Sequence, residues 1–193
     1  MNFTARQIEI IDASKILIGE KGIQTLTIKN LAKKMSFSEP ALYRHFKDKT
    51  EIIKALLLYH REIVENGTKK ILESKKDAFY KFKEILKFKF HHIENNPELV
   101  MIIFSETSFQ YDSQLSECVG DTLSQRKEKI ISLIKCGQDE GCIRTDIDSE
   151  QIATIVLGGM RTTILSWKLS EFESNLQDDG KKLWSTFEIL FKN

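Results

Sequence analysis

Apolar residues recur at helical spacing from one end of this chain to the other. No segment alternates apolar with polar residues for long enough to make a half-buried strand. With nine Gly and two Pro in 193 residues, little interrupts those stretches. The pattern predicts an all-α fold of about nine helices. The first carries Ile10, Ala13, Ser14, Leu17 and Ile18 on one face and stops at Gly22. Thr27 caps a short second helix with Ile28, Leu31 and Ala32 inward, and Ser38 caps a third that tolerates Pro40 in its first turn and ends near Lys47. A longer helix is expected from Lys49 to about Leu72, another over 77–94, and a short one from Pro97 through Phe104. Three more are expected over about 114–136, from Asp148 to about Leu169, and over 176–191.

Composition excludes several classes. Hydrophobic residues at 41% and charged residues at 30% are ordinary globular usage, which argues against disorder. The longest apolar runs, such as Val100-Met101-Ile102-Ile103-Phe104, are too short to span a bilayer, so no membrane partner is expected. Three cysteines (Cys118, Cys136 and Cys142) match no disulfide scaffold or zinc knuckle. With a start that lacks an apolar leader, they point to a reducing, cytoplasmic setting. Net charge is only +1, but it is uneven: residues 1–60 hold ten Lys/Arg against six acids, leaving +4 there and −3 in the rest. A basic head on a mildly acidic body suits a polyanionic partner for the head.

Residues 27–46 place two short helices around a three-residue turn, Met35-Ser36-Phe37, the spacing of a helix-turn-helix. Ala32 is small where the second helix must approach, Leu31 and Leu42 fill the wedge, and Phe37 plugs the turn. The run from Thr27 to Lys49, with Leu42-Tyr43-Arg44-His45-Phe46 at its centre, resembles the signature of the TetR family of regulators. Ile10-Ile11-Asp12-Ala13 and Glu20-Lys21-Gly22 fit that family's first helix and its terminator. The likeness is tight over about residues 8–56 and looser beyond, resting there on helix count and on Glu140-Gly141, Asp148 and Gly158-Gly159. Ser36 departs from the family, which usually has Gly in the turn; if the position needs positive φ, Ser costs about 1 kcal/mol there.

The resemblance implies an N-terminal three-helix DNA-binding domain, residues 1–48, and a helical ligand-binding and dimerisation domain, residues 49–193. It also implies roles for individual side chains. Thr27 and Ser38 would meet phosphate at helix N-termini. Tyr43, His45 and Lys49 would contact the phosphate backbone. Glu39, Pro40, Ala41 and Arg44 would face base edges, Arg44 suiting a guanine, Glu39 a cytosine amino group, and Pro40 or Ala41 a thymine methyl. The recognition helix is expected over about 39–46.

In the body, Phe82, Phe88, Met101, Phe104, Phe109, Met160 and Trp167 are candidates to line a small-molecule pocket, although for any one of them taken singly ordinary core packing is the favoured reading. Two stripes suggest a dimer interface made as a four-helix bundle. One is Ile152, Ile155, Val156, Gly159 and Thr163; the other is Trp184, Phe187, Leu190 and Phe191, with Leu183. The alternative is that both stripes bury within one protomer. Lys69, Lys70, Lys75, Lys76, Lys81, Lys83, Lys87 and Lys89 read as a solvated face. His91 and His92 point about 100° apart on a helix and make a poor metal pair, so neither metal nor cofactor is expected. No phosphate loop, nucleophile elbow or paired catalytic acid is present, which argues against an enzyme. The expected function is a transcription regulator, a repressor that binds a palindromic double-stranded DNA operator as a homodimer and is released by a small apolar effector. The rival is a ligand-binding protein of the same fold without sequence-specific DNA binding.

Overall fold

The computed structural model describes residues 3–104 and 112–193. Phe109, one of the expected pocket residues, lies outside them. Among the described residues there are nine α-helices: α1 Ala5–Lys21, α2 Ile28–Met35, α3 Glu39–Tyr43, α4 Lys49–Leu72, α5 Ala78–Glu94, α6 Glu98–Ile103, α7 Ser113–Asp139, α8 Ser149–Leu169 and α9 Leu176–Phe191. One 3-10 turn, Ile23–Thr25, follows α1. The all-α expectation stands. Extended pairing among these residues is limited to one antiparallel bridge between Ile143 and Lys192. No helix among them is long and apolar enough to cross a membrane.

Packing divides the chain into two compact units, Met1–Ile63 with Asn96–Gly120, and Val64–Asn95 with Asp121–Asn193. This division follows contacts, and it falls elsewhere than the expected functional boundary at residue 48. In the first unit α1 begins earlier than its apolar stripe suggests. The Thr4 hydroxyl accepts from the Gln7 N–H, and the Gln7 side chain accepts from the Thr4 N–H, a reciprocal capping box. Gly22, at φ 81°, ends it in a conformation few other residues adopt. Ile10, Ile11 and Ile18 of α1, Leu31 of α2, Leu42 of α3, and Ile52 and Leu56 of α4 bury almost completely in a single core. Leu99 and Ile102 of α6 and Leu115 of α7 join that core. Lys15 on α1 bonds the Asn96 side chain at 3.0 Å and pairs with Glu98 at 3.3 Å, so α6 is tied to the first helix.

In the second unit α9 packs against both α5 and α8. Gly180 allows this, because a Cβ there would come within 2.6 Å of the Phe90 ring. Phe79 and Phe82 of α5 meet the Trp184 ring at 4.8 and 5.5 Å, and Phe187 contacts Phe191 at 5.6 Å. Asp77, Asp148 and Asn175 cap α5, α8 and α9 through side-chain oxygens. α7 ends at Gly141, φ 74°. There Cys142 N–H reaches the Gly137 carbonyl at 2.9 Å and Gly141 N–H the Gln138 carbonyl at 3.1 Å, a Schellman ending.

Candidate nucleic-acid interface

The α2–turn–α3 segment is built from caps and one apolar wedge. The Thr27 hydroxyl accepts from Asn30 N–H at 3.1 Å, and the Ser38 hydroxyl accepts from Ala41 N–H at 3.3 Å, so both helix starts are satisfied by the residues expected to cap them. Between them Ser36 sits at φ 55°, ψ 38°, the left-handed region. The turn therefore does need positive φ, and a serine occupies it. Phe37 N–H returns to the Ala32 carbonyl at 2.9 Å, and the Phe37 ring lies under the Arg6 guanidinium at 5.1 Å.

α3 is shorter than expected. It runs over Glu39–Tyr43 rather than to residue 46, because His45 N–H turns back to the Leu42 carbonyl at 2.9 Å, tightening the last turn. Leu42 and Phe46 are buried and anchor the segment. Glu39, Pro40, Tyr43 and Arg44 are exposed, Tyr43 by 52%, and Ala41 and His45 are half-buried. The His45 carbonyl accepts from the Gln7 side chain at 3.3 Å, so α1 holds the end of the turn. Lys49 is half-buried, its ammonium 3.5 Å from the Ile23 carbonyl, and burial pulls its pKa below the usual lysine value. Lys29, Lys33 and Lys47, exposed in the same segment, add cations that site-by-site motif matching did not single out, although the charge excess of residues 1–60 included them.

The first turn of α4 is joined to the start of α7. Thr50 donates its hydroxyl to Asp112 at 2.7 Å, while the other Asp112 oxygen accepts the Gln114 and Leu115 N–H groups at 3.1 Å. The Thr50 hydroxyl first, and then the Leu115 amide, hold the Asp112 carboxyl below its usual pKa.

The expected pocket residues are dispersed. Phe82, Met160 and Trp167 are buried in the second unit's packing. The Trp167 indole N–H bonds the Ser174 carbonyl at 2.8 Å and its ring meets Phe172 edge-on, so it secures the α8–α9 turn. Phe88 stacks on His92 and lies against Gly67, where a Cβ would come within 2.1 Å of the ring. Met101 packs on the first unit's core, and Phe104 is half-buried at the end of α6. None of them lines the open cleft of about 260 Å³ in the second unit, which is bounded by Asp77, Phe79, Lys83, Cys142, Trp184 and Lys192 among others.

Two readings need correction. Ile152, Val156, Trp184, Phe187 and Phe191 are buried in the protomer's own core, where a partner cannot reach them. A Cβ on Gly159 would come within 3.0 Å of Phe187 and 3.1 Å of Leu183, so its small size admits a helix of the same chain, and Thr163 bonds its own helix at the Gly159 carbonyl. Of the expected interface residues, Ile155 and Leu190 are exposed. The second correction is Lys89. It is not part of a solvated face, since it is half-buried and its pKa is pushed down to about 8, by desolvation first and then by Arg126 and Lys129. Its place was legible, for it falls in the stripe Phe82, Leu86, Lys89, Ile93 whose other members are buried.

A capped helix-turn-helix with an exposed polar face, on an all-α chain, defines a DNA-binding regulator by class. Family comparison carries this further. Residues 10–56 match the model for bacterial regulatory proteins of the tetR family, and residues 56–190 match that for the YsiA-like protein C-terminal region. The chain belongs to the TetR family of transcriptional regulators, which are DNA-binding factors and not enzymes. It is 25% identical over 192 residues to the nucleoid occlusion factor SlmA of Vibrio cholerae, covering 97% of this chain and 96% of that protein. It is 23% identical to SlmA of Aliivibrio fischeri, covering 93% and 92%. Among solved structures it resembles the fatty acid degradation regulator FadR of Bacillus halodurans, with a TM-score of 0.86, 16% identity, and 97% and 96% of the two chains covered. It also resembles Bacillus subtilis FadR in complex with stearoyl-CoA, with a TM-score of 0.81, 19% identity, and 93% and 96% covered. A triclosan complex of SmeT, the repressor of a Stenotrophomonas maltophilia efflux pump, has the same fold at a TM-score of 0.79, 15% identity, and 98% and 93% covered.

Proposed function

We propose that the chain is a repressor that binds a palindromic DNA operator as a homodimer and leaves it when a small, apolar effector occupies its body. The observation that carries this reading is the outward face of α3. Glu39, Pro40, Tyr43 and Arg44 are exposed, while Leu42 and Phe46 fix the segment to the core. Glu39, Pro40, Ala41 and Arg44 read base edges, and Thr27, Ser38, Tyr43, His45 and Lys49 contact phosphates. Residues 1–48 form the reading head and 49–193 the sensing and dimerising body.

The homodimer interface uses the outer faces of α8 and α9, on which Ile155, Leu165, Leu169, Ile189 and Leu190 are exposed. An apolar surface of this kind on two adjacent helices suits a second copy of the same chain. The stearoyl-CoA and triclosan found in relatives of this fold support an apolar effector. The ties from Lys15 to Asn96 and Glu98 and from Thr50 to Asp112 are the contacts through which movement of α6 and α7 reaches the head. To move occupancy from 1:99 to 99:1, the effector must favour the released state by about 5.5 kcal/mol.

The test is an anisotropy titration of duplex DNA from upstream of the protein's own coding region, run across a salt series with competitor DNA. A selective complex with two subunits per palindrome is expected. Weak binding that collapses with salt and shows no preferred sequence, there and in a genome-wide selection, overturns the reading in favour of a ligand-binding protein without an operator.

A further inference from the structure

Two thiols meet at the Schellman ending of α7. This motif folds the residue after the left-handed glycine back onto the helix's last full turn, a contact often made by two apolar side chains. Here the residues in those positions are Cys142 and Cys136. The Cys136 thiol donates to one oxygen of Glu140 at 3.4 Å and the Cys142 thiol to the other at 3.7 Å. One carboxylate thus gathers both sulfurs. The same carboxylate accepts Ala78 N–H at the start of α5, 2.6 Å away. Asn193 N–H reaches the Cys142 carbonyl at 3.4 Å, and the neighbouring Ile143 pairs with Lys192, so the pair sits where α5, α7 and the end of α9 converge. Cys136 is exposed, and Cys142 borders the open cleft of this unit. The third cysteine, Cys118, belongs to the other unit.

We propose that Cys136 and Cys142 form a redox-active dithiol that closes to an intramolecular disulfide when it meets a small disulfide oxidant such as oxidised glutathione. Cys136, the accessible thiol, gives its proton to water, and its thiolate attacks the glutathione disulfide, expelling one glutathione thiolate. Cys142 then loses its proton and attacks the mixed disulfide at Cys136, expelling the second. Two S–H bonds and one S–S bond break and one protein S–S bond forms. Two glutathione molecules leave reduced, carrying the two protons. In the reduced state the Glu140 carboxylate raises the Cys136 pKa and burial raises that of Cys142, so both remain thiols at neutral pH and exchange is faster in mild alkali. A disulfide of this kind, outside an oxidising compartment, is characteristically transient and regulatory. Closure needs the Cα atoms within about 4.4–6.8 Å and the carboxylate withdrawn from between the sulfurs, where the Ala78 N–H still holds it.

The experiment equilibrates the full chain with graded ratios of oxidised to reduced glutathione, then quenches, alkylates and maps the peptides by mass. The wild type is expected to lose both thiols together, as a Cys136–Cys142 link within one chain, with Cys118 still alkylated. Cys142→Ser is expected to stop at a glutathione adduct on Cys136. Glu140→Gln, which retains an oxygen for the Ala78 amide, is expected to speed alkylation of Cys136 in the reduced protein by about threefold or more, because the thiolate is no longer disfavoured. The proposal is overturned if wild-type Cys136 accumulates a stable glutathione adduct, if the link joins two chains, or if both thiols survive the whole series. Circular dichroism on each variant establishes that the helices persist, so that unfolding does not imitate exposure.

Discussion

α3 and the α8–α9 pair are both amphipathic, and both bury their inner faces wholly within the protomer. They differ in what they leave outside. α3 and its cap expose Glu39, Tyr43 and Arg44, groups that hydrogen-bond or carry charge, with Pro40 beside them, whereas α8 and α9 expose Leu169 by 74% and Ile189 by 82%. The buried face of a helix says only that it folds; the chemistry of the outer face says what it meets. The proposed function pairs each face with a partner of matching chemistry: α3 with the polar edges and phosphates of DNA, and the outer face of α8 and α9 with a second copy of the chain.

Four variants test this contrast. The largest effect is expected from Phe46→Ala, which removes the ring that anchors the α3 turn, at 3% exposure. It should cost about 3–5 kcal/mol in urea unfolding of the first unit. A loss below about 1 kcal/mol would show that α3 is not held by that wedge.

Lys89 tests whether the second unit hides a charge. Its folded pKa of about 8 lies below the ordinary lysine value, so the unfolded chain binds more protons between about pH 8 and 10.4. The penalty is therefore fully present below pH 8 and fades as pH rises through that window. Lys89→Met should raise stability at pH 7 by about 1–3 kcal/mol and flatten the rise seen in the wild type between pH 8 and 10. An unchanged pH profile would return Lys89 to the solvated face.

Leu169→Glu combined with Ile189→Glu addresses the apolar outer face. Protomer stability should stay within about 0.5 kcal/mol, because neither side chain is buried. The dimer dissociation constant, measured by sedimentation, should rise about tenfold or more, equivalent to about 1.4 kcal/mol. Unaltered association would move the interface to another surface.

The smallest effect is expected at the turn. Ser36→Gly relieves a left-handed serine and should add about 0.5–1 kcal/mol to stability without changing the DNA sequence preferred.

Helix boundaries were legible where caps and periodicity agreed. Gly22, Thr27, Ser38, Asp148 and the full span of α4 lie where the pattern puts them. The start of α1 was equally readable from Thr4 and Gln7, a capping box spaced three residues apart, but its apolar stripe begins only at Ile10. The faces of α8 and α9 were not readable, since a stripe such as Ile152, Ile155, Val156 is apolar whether it meets its own chain or another. Contacts divide it, giving Ile152 and Val156 to the core and Ile155 to the surface. Met160 and Trp167 are buried as expected of either role, because bulk and hydrophobicity do not separate a pocket wall from a core. The cysteine pair escaped notice because its proximity comes from hydrogen bonds at a helix end and not from a spacing motif.

Selection from a random duplex pool, with the wild type and with Arg44→Ala, shows whether the outer face of α3 reads DNA. The wild type is expected to enrich a two-fold symmetric sequence with half-sites about 34–36 Å apart. The variant should relax preference at one base position per half-site, losing about 1–3 kcal/mol of discrimination there. A folded wild-type protein that enriches no sequence, or an Arg44→Ala protein that keeps full selectivity at every position, would contradict it.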